Sequence, residues 1–150
     1  RSGTGSESFS LGMPAFYPDA LESGTLSYPA VCSLFEGAIV VKTMREEGAH
    51  TLFQLTKALH TALAAMPAYR VYFEPNPCGI ASFAHEHIPS EELAGLLSDR
   101  FDIAVRGGQH CAPLVHRALG TENGLVRASF SPFQTVREVN ALVGALKKIG

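Results

Sequence analysis

The sequence predicts an α/β protein of the α+β kind, in which helices cover an antiparallel or mixed sheet. Its 150 residues are the length of one ordinary domain. Of these residues 46% are apolar, which is enough for a hydrophobic core. Segments with apolar residues at helical spacing are mixed with short aromatic and β-branched segments, two of which flank a tight turn. This order is typical of helices packed on a small sheet.

The first 29 residues differ from the rest of the chain. Glycine and proline interrupt this segment every few residues, which excludes a long helix or a central strand. Phe9, Phe16 and Tyr17 indicate an ordered loop that lies against another surface. We therefore predict a loop segment at 1–29, which ends a preceding domain or crosses onto another subunit, and a small domain at 30–150.

Two helices are predicted at the start of the small domain. Apolar residues lie at helical spacing over about 30–47 and again over about 49–66. Gly48 is expected to separate the two helices, and Pro67 to end the second.

Two strands are then expected to pair as a hairpin. The segments 69–73 and 79–84 flank a Glu-Pro-Asn-Pro turn. His85 and His87 follow the second strand, but their spacing is not that of a helical zinc pair. We interpret them as a polar turn closed by Pro89, and we predict no metal site.

The rest of the domain is predicted to hold a helix, two short strands and a final helix. Ser90 is expected to cap a helix that runs to about residue 99. Apolar segments at 101–105 and 125–131 are predicted strands. Thr135 is expected to cap the last helix, whose final turn carries two lysines, where the helix dipole favours cations.

Composition argues against several classes of protein. A formal net charge of −2 supplies no basic surface for nucleic acid or for an anionic membrane. No apolar run approaches the roughly 20 residues of a membrane span, and the first residues do not resemble a signal peptide. Cys32, Cys78 and Cys111 include no CxxC pair, so we expect three reduced thiols in a cytoplasmic protein.

The segment with the most chemical character is Arg-Gly-Gly-Gln-His-Cys-Ala-Pro at 106–113. Gly107 and Gly108 allow a backbone path that is closed to other residues. They place Cys111 between a strand end and a proline that can open a helix. A thiol near a helix N-terminus, an arginine and a histidine is the environment of a nucleophilic cysteine. The alternative is a small buried hydrophobic residue, as most free cysteines are.

An arginine within an apolar strand points to an anionic ligand. Arg127 stands in Leu-Val-Arg-Ala-Ser-Phe, and a guanidinium is costly to bury unless it meets an anion. Its planar fork suits a carboxylate. Beside a thiol loop this suits an amino-acid substrate, whose carboxylate Arg127 would hold while Cys111 acts on the side chain. The alternative is an edge-strand arginine that points to solvent.

These segments resemble the class V aminotransferase-fold enzymes, and within them the cysteine desulfurase and selenocysteine lyase group. Residues 106–113 and 124–135 are similar to the group's Arg-x-Gly-x-His-Cys-Ala and Val-Arg-x-Ser-Phe motifs, which an Asn-Thr pair follows. Gln134 stands where the group has that asparagine. Near the start, Gly-Thr-Gly-Ser at 3–6 and Leu-Glu-Ser-Gly-Thr-Leu at 21–26 resemble the motifs before the crossover into the small domain.

The resemblance implies the C-terminal domain of a fold type I pyridoxal-phosphate (PLP) enzyme that works as a homodimer. It implies that Cys111 attacks the sulfur or selenium of L-cysteine or L-selenocysteine and holds it as a persulfide. It also implies that Arg127 binds the substrate carboxylate. Arg106 and His110 would line the same pocket, where His110 either moves a proton or orients the loop.

The cofactor contacts implied by the resemblance lie partly outside this sequence. Thr25, next to Gly24, would reach across the dimer to the phosphate of the cofactor, a task that suits a hydroxyl and backbone N–H groups. PLP needs a lysine for its Schiff base. The four lysines all stand in predicted helices and outside the His-Lys context of the family: Lys42, Lys57, Lys147 and Lys148. We therefore expect a large N-terminal domain to supply the lysine, the present piece to be inactive alone, and a sulfur-acceptor protein to take the persulfide.

Two alternatives stay open at this point. Another aminotransferase or lyase of the same fold would carry Cys111 without using it. A small regulatory module would use Arg127 and the glycine loop to bind an anion without chemistry. The Gly-Thr loop within residues 1–29 argues against the module, because such a loop has little purpose without a partner surface.

Overall fold

The structure, a computed structural model, describes residues 27–150. The predicted loop segment lies almost wholly outside these residues, and the boundary between 29 and 30 stays a prediction. The chain divides into two units between Thr43 and Met44. The first unit contributes the helix α1 (Tyr28–Thr43). The second contains the helices α2 (Arg45–Ala64), α3 (Ser90–Phe101), α4 (Pro113–Leu119) and α5 (Val136–Ile149), and the strands β1 (Tyr69–Val71), β2 (Ile80–His85) and β3 (Val126–Ser129).

The three strands form one antiparallel sheet in the order β1-β2-β3. The hairpin of β1 and β2 is confirmed, with Tyr69 opposite His85. The strand β3 pairs with the other edge of β2 and places Arg127 opposite Ser82. The sheet is therefore antiparallel, and helices cover it as predicted.

One face of the sheet packs against three helices. Alternate residues of β2 and β3 are buried because successive side chains of a strand point to opposite faces. The core combines these residues with apolar side chains of α2, α3 and α5: Ala81, Phe83, Val126, Ala128, Leu55, Leu59, Leu63, Leu93, Leu97, Val139, Leu142 and Leu146. Arg127 stands between two buried residues of β3, so its side chain leaves the sheet on the opposite face.

The prediction that Gly48 separates the first two helices is wrong. The break falls at Met44, and Gly48 lies buried inside α2. A Cβ at Gly48 would lie 3.2 Å from the Cβ of Pro132. Glycine therefore serves the close approach of a later turn, and the rest of α2 tolerates its poor helix propensity, a cost of about 1 kcal/mol relative to alanine.

The predicted strand at 101–105 is also wrong. The helix α3 continues to Phe101, and Asp102 ends it in the left-handed conformation with φ 55°. The apolar side chains of this segment pack against the core without a strand ladder. The segment meets the sheet at its end, where Arg106 forms a single bridge with Arg127.

The two predicted N-caps have different outcomes. Thr135 caps α5 as predicted: its hydroxyl accepts the N–H of Arg137, and the Glu138 carboxylate accepts the N–H of Thr135. Ser90 does not cap α3, because Pro89 stands at the N-cap position and Ser90 is the first helical residue. Its hydroxyl contacts the segment before Cys111 instead.

His87 lies in a polar bend, as predicted, but His85 does not, because β2 extends one residue further than predicted and ends at His85. The Nδ1 of His85 accepts the N–H groups of His87 and Ile88, both at 3.1 Å. Over residues 27–150 no group of three His, Cys, Asp or Glu side chains is arranged to hold a metal ion. In the same range no helix combines the length and apolar character that a membrane crossing requires.

Candidate active site

Four of the six predicted site residues lie in one region of the second unit. They stand on the segment between α3 and α4 and on the neighbouring strand β3: Arg106, His110, Cys111 and Arg127. The two predicted cofactor contacts, Gly24 and Thr25, lie outside the described residues.

Arg106 and Arg127 are direct neighbours across the backbone. The N–H of Arg106 lies 3.1 Å from the carbonyl oxygen of Arg127, and the N–H of Arg127 lies 2.7 Å from the carbonyl oxygen of Arg106. Residues that exchange both bonds in an antiparallel bridge send their side chains to the same face. Two guanidinium groups therefore share the face of the sheet that the core does not use. Like charges at such positions are destabilising, and an anion between them would offset that cost.

Arg127 has unused hydrogen-bonding capacity. Its side chain is half-buried, and its Nε is buried without a hydrogen-bond partner among the described residues. Arg106 is exposed, and the ion pairs found within residues 27–150 involve neither arginine. A buried donor without a partner costs free energy until a ligand accepts from it. A half-buried guanidinium with an open donor favours the interpretation that Arg127 binds a carboxylate over the interpretation that it points to solvent.

The path of the segment 107–111, which we call the cysteine loop, depends on close backbone contacts. A Cβ at Gly107 would lie 2.3 Å from the carbonyl oxygen of Ser90. Gly108 has φ +100°, and a Cβ at Gly124 would lie 2.5 Å from the carbonyl carbon of Gly108. Any side chain at Gly107 or Gly124 would move the loop away from α3 or from the turn before β3.

Cys111 is exposed at the junction of the cysteine loop and α4. Both Cys111 (φ 59°) and His110 (φ 54°) adopt the left-handed conformation. For residues other than glycine this costs about 1–2 kcal/mol each, and it persists only where the surroundings impose it. The alternative of a small buried hydrophobic residue does not fit an exposed thiol. The loop therefore holds the exposed Cys111 in a constrained backbone geometry.

His110 connects the cysteine loop to the start of β3. Its Nε2 lies 3.1 Å from the carbonyl oxygen of Leu125, and because a carbonyl only accepts, Nε2 carries the proton. Burial, followed by the guanidinium of Arg127 and that of Arg106, lowers the pKa of His110, although the bond to Leu125 opposes this. Its Nδ1 is buried and has no partner among the described residues. The neutral ring thus keeps an open lone pair, which can accept a proton or a ligand's hydrogen bond.

A group of polar side chains beside the cysteine loop was not predicted from the sequence. His116 of α4 is buried, and its Nδ1 donates to the carbonyl oxygen of Thr121 at 2.9 Å. Its ring centroid lies 6.0 Å from that of His110. Gln109 donates to the carbonyl oxygen of Glu122 at 2.6 Å. These contacts tie the loop and α4 to the turn at 121–125, and no sequence signal marks them because the partners are not in a shared motif.

A cleft of about 930 Å³ lies beside the cysteine loop. The turns 84–90 and 120–125 line it together with Tyr72. Neither Cys111 nor Arg127 contributes to its lining, so this cleft is not the predicted substrate site.

The described residues fit an anionic group of a substrate but offer no amine for PLP at this site. Lys57, Lys147 and Lys148 are exposed on α2 and α5, which pack on the other face of the sheet from Arg127. Lys42 is exposed on α1 in the first unit.

Comparisons with known proteins point to one family. The family described as Aminotransferase class-V matches residues 10–142. A probable cysteine desulfurase of Methanothermobacter thermautotrophicus is 28% identical over 141 residues, which are 89% of this chain and 34% of that protein. The chain thus spans about a third of the length of the curated relatives that it matches.

Solved structures agree with this family. The cysteine desulfurase CsdA of Escherichia coli is similar with a TM-score of 0.73 and 28% identity, over 87% of this chain and 32% of that one. An apo cysteine desulfurase of Thermococcus onnurineus NA1 is similar with a TM-score of 0.79 and 27% identity, over 88% of this chain and 33% of that one.

Proposed function

Because this chain belongs to the class-V aminotransferase family, we propose that it forms the substrate-binding and sulfur-accepting part of a PLP-dependent cysteine desulfurase. One observation carries the proposal: an exposed Cys111 follows a loop whose other end places Arg106 beside Arg127. A nucleophile next to paired cations suits an amino acid whose side chain reacts. The names of the relatives support sulfur as the reacting element, and membership in the family argues against a small anion-binding regulatory module.

The α-carboxylate of L-cysteine is an anion that the two guanidinium groups can bind. The fork of Arg127 can donate two parallel hydrogen bonds to a carboxylate, including one from the open Nε. Arg106, more exposed, adds positive charge on the same face. Binding the carboxylate in this way orients the amino acid, so that its side-chain sulfur meets the Cys111 thiol.

Cys111 then takes the sulfur as a persulfide. The sulfur of Cys111 attacks the substrate sulfur, and the S–S bond forms as the C–S bond of the substrate breaks. The carbon fragment takes up a proton and leaves as alanine, so that cysteine and a protein thiol become alanine and a protein persulfide. PLP, when bound, supplies the electron sink for this cleavage. The open Nδ1 of His110 provides a proton acceptor in the same site.

The remaining parts of the proposal concern the large domain, the homodimer partner, the cellular location and the sulfur acceptor. The Schiff-base lysine would come from a large domain outside this sequence, and Gly24 and Thr25 would contact the cofactor phosphate of a homodimer partner. The domain boundary between the loop segment and the small domain would then fall near residue 29. A cytoplasmic location, where thiols stay reduced, is part of the proposal and rests on the wide spacing of the three cysteines in the sequence. A sulfur-acceptor protein would receive the outer sulfur of the persulfide, and L-selenocysteine is the alternative substrate.

Replacement of Cys111 tests the proposal. The protein expressed from the complete reading frame that encodes this chain is incubated with PLP, L-cysteine and a thiol reductant. Sulfide and alanine are then measured for the wild type, Cys111→Ala and Cys78→Ala. Cys78 is the matched control, since it is an exposed thiol outside the site. We expect Cys111→Ala to abolish sulfide while the visible absorbance of the cofactor remains, and Cys78→Ala to behave as wild type. No sulfide from the wild type, or unchanged sulfide from Cys111→Ala, would instead favour a transaminase or another lyase.

A further inference from the structure

The side chain of Ser90 connects three segments of the second unit. Ser90 is only 5% exposed. Its hydroxyl accepts the N–H of Gly108 at 3.1 Å and donates to the carbonyl oxygen of Asn123 at 3.2 Å. One hydroxyl group thus joins the start of α3, the cysteine loop and the turn before β3.

The backbone around Gly108 is held from both sides. Its N–H is bound by the Ser90 hydroxyl, and its carbonyl oxygen accepts the N–H of Leu125 at 3.1 Å. Gly108 stands three residues before Cys111, and Leu125 two residues before Arg127. A displacement of Gly108 would therefore move the loop that carries the thiol relative to the strand that carries the guanidinium.

The hydroxyl of Ser90 has no separate task in its own helix. Pro89 stands at the N-cap position of α3, and both hydrogen bonds of the Ser90 hydroxyl go to other segments. Without it, the N–H of the buried Gly108 would lose its partner, which favours a shift of the loop. The left-handed conformations of His110 and Cys111 would then lose part of the packing that imposes them.

We propose that Ser90 is a positioning residue that fixes Cys111 relative to Arg127. This inference rests on the proposed function, in which Arg127 holds the carboxylate and Cys111 accepts the sulfur. Ser90 acts through the cysteine loop and through the turn at 121–125, and it does not touch the substrate.

Three variants test this role. Their kcat/KM for L-cysteine is measured on the cofactor-loaded protein expressed from the complete reading frame. Ser90→Ala removes the hydroxyl, Ser90→Thr keeps it, and Thr61→Ala is the control, since Thr61 has an exposed hydroxyl bound to its own helix. Small misplacements of reacting groups cost up to about 100-fold in rate, so we expect kcat/KM for L-cysteine to fall roughly 10- to 100-fold in Ser90→Ala. Ser90→Thr should recover most of this loss, and Thr61→Ala should match the wild type.

Two readouts on the same proteins do not depend on turnover. Hydrogen exchange of the amides at 107–111 and the rate of Cys111 alkylation by iodoacetamide both report the loop directly. We expect faster exchange at Gly108 and an altered alkylation rate in Ser90→Ala, with Ser90→Thr close to the wild type.

The outcomes separate this inference from the proposed function. Wild-type exchange, alkylation and kcat/KM in a folded Ser90→Ala protein would overturn the positioning role while the desulfurase function stands. A wild type that releases no sulfide, together with a loosened loop in Ser90→Ala, would overturn the desulfurase function and leave the role of Ser90 in holding the loop. If Ser90→Ala does not fold, Ser90→Thr decides, because it keeps the hydroxyl. A folded Ser90→Thr protein with a loosened loop and lost turnover contradicts the proposal. Wild-type behaviour of Ser90→Thr supports it.

Discussion

At the scale of single residues, the site is defined by polar groups that are buried and still open. The Nε of Arg127 and the Nδ1 of His110 both lack partners among the described residues. Buried polar groups are nearly always hydrogen-bonded, and each exception costs free energy. Of the three such atoms among the described residues, the Nε2 of His85 lies elsewhere, and the other two, a donor on Arg127 and an acceptor on His110, share this site. A zwitterionic amino acid carries acceptors and donors that can satisfy both.

The lowered pKa of His110 predicts how stability depends on pH. Burial and the nearby guanidinium groups disfavour the charged ring in the folded state. An unfolded chain takes up this proton near the ordinary value of about 6.5, before the folded state does. The contribution of His110 to stability is therefore complete above that value and is lost as pH falls through the folded pKa.

Urea unfolding at several pH values checks this expectation. His110→Gln should unfold with a weaker pH dependence than the wild type between about pH 7 and pH 5. His50→Gln serves as control, because His50 is exposed on α2. The burial of His85 lowers its pKa as well, so part of the pH dependence should remain in His110→Gln. An unchanged slope in His110→Gln would show that this ring titrates equally in both states.

The candidate site residues were easier to predict from the sequence than their arrangement. Cys111 and Arg127 stand out because a thiol after two glycines and a charge within an apolar strand are local patterns. The pairing of Arg106 with Arg127 is not local. The expected strand ended at residue 105, so it did not predict this pairing. Ser90 has the identity and position of a helix cap, and only the tertiary structure shows that its hydroxyl binds other segments.

At the scale of elements, local rules succeeded where the partners are close in sequence. The β1–β2 hairpin follows from the turn between its strands, and the capping box of Thr135 lies within four residues. Gly48 shows where such rules fail: its low helix propensity is real, but α2 continues through it because a distant proline packs against it. The apolar segment 101–105 fails similarly, since burial does not require a strand ladder.

Alanine should have opposite effects at Gly107, in the cysteine loop against α3, and at Gly95, inside α3. Gly107→Ala would place a Cβ 2.3 Å from the carbonyl oxygen of Ser90, so backbone must shift. We expect a loss of about 1–3 kcal/mol in the free energy of unfolding, as for other overpacked sites, and reduced sulfide release. Gly95→Ala meets no atom within 4 Å in the middle of α3 and should stabilise the protein by up to about 1 kcal/mol.

Urea denaturation of both glycine variants, with sulfide release measured in parallel, checks these signs. A Gly107→Ala protein as stable and active as the wild type would mean that the loop is not held against α3 as described.

At the scale of the whole molecule, the second unit has a core of its own. Every residue of the hydrophobic cluster belongs to α2, α3, α5 or the sheet with its connections. The helix α1 contributes none and has no buried residue. We therefore expect Met44–Gly150 to fold without the first unit.

Expression of residues 44–150 alone tests this expectation. Circular dichroism should show one cooperative thermal transition, as expected for a domain of this size. A truncated protein that melts without cooperativity would mean that its core depends on the first unit. The full chain serves as the reference for the midpoint.

The bridge between Arg106 and Arg127 has a consequence for the outer edge of the sheet. The strand β3 ends the order β1-β2-β3, and an edge strand with open N–H and C=O groups is a template on which another chain can add. Here Arg106 and Gly108 occupy the backbone groups of Arg127 and the N–H of Leu125 along that edge. The bonds that hold the cysteine loop thus also leave fewer backbone groups on this edge for another chain to pair with.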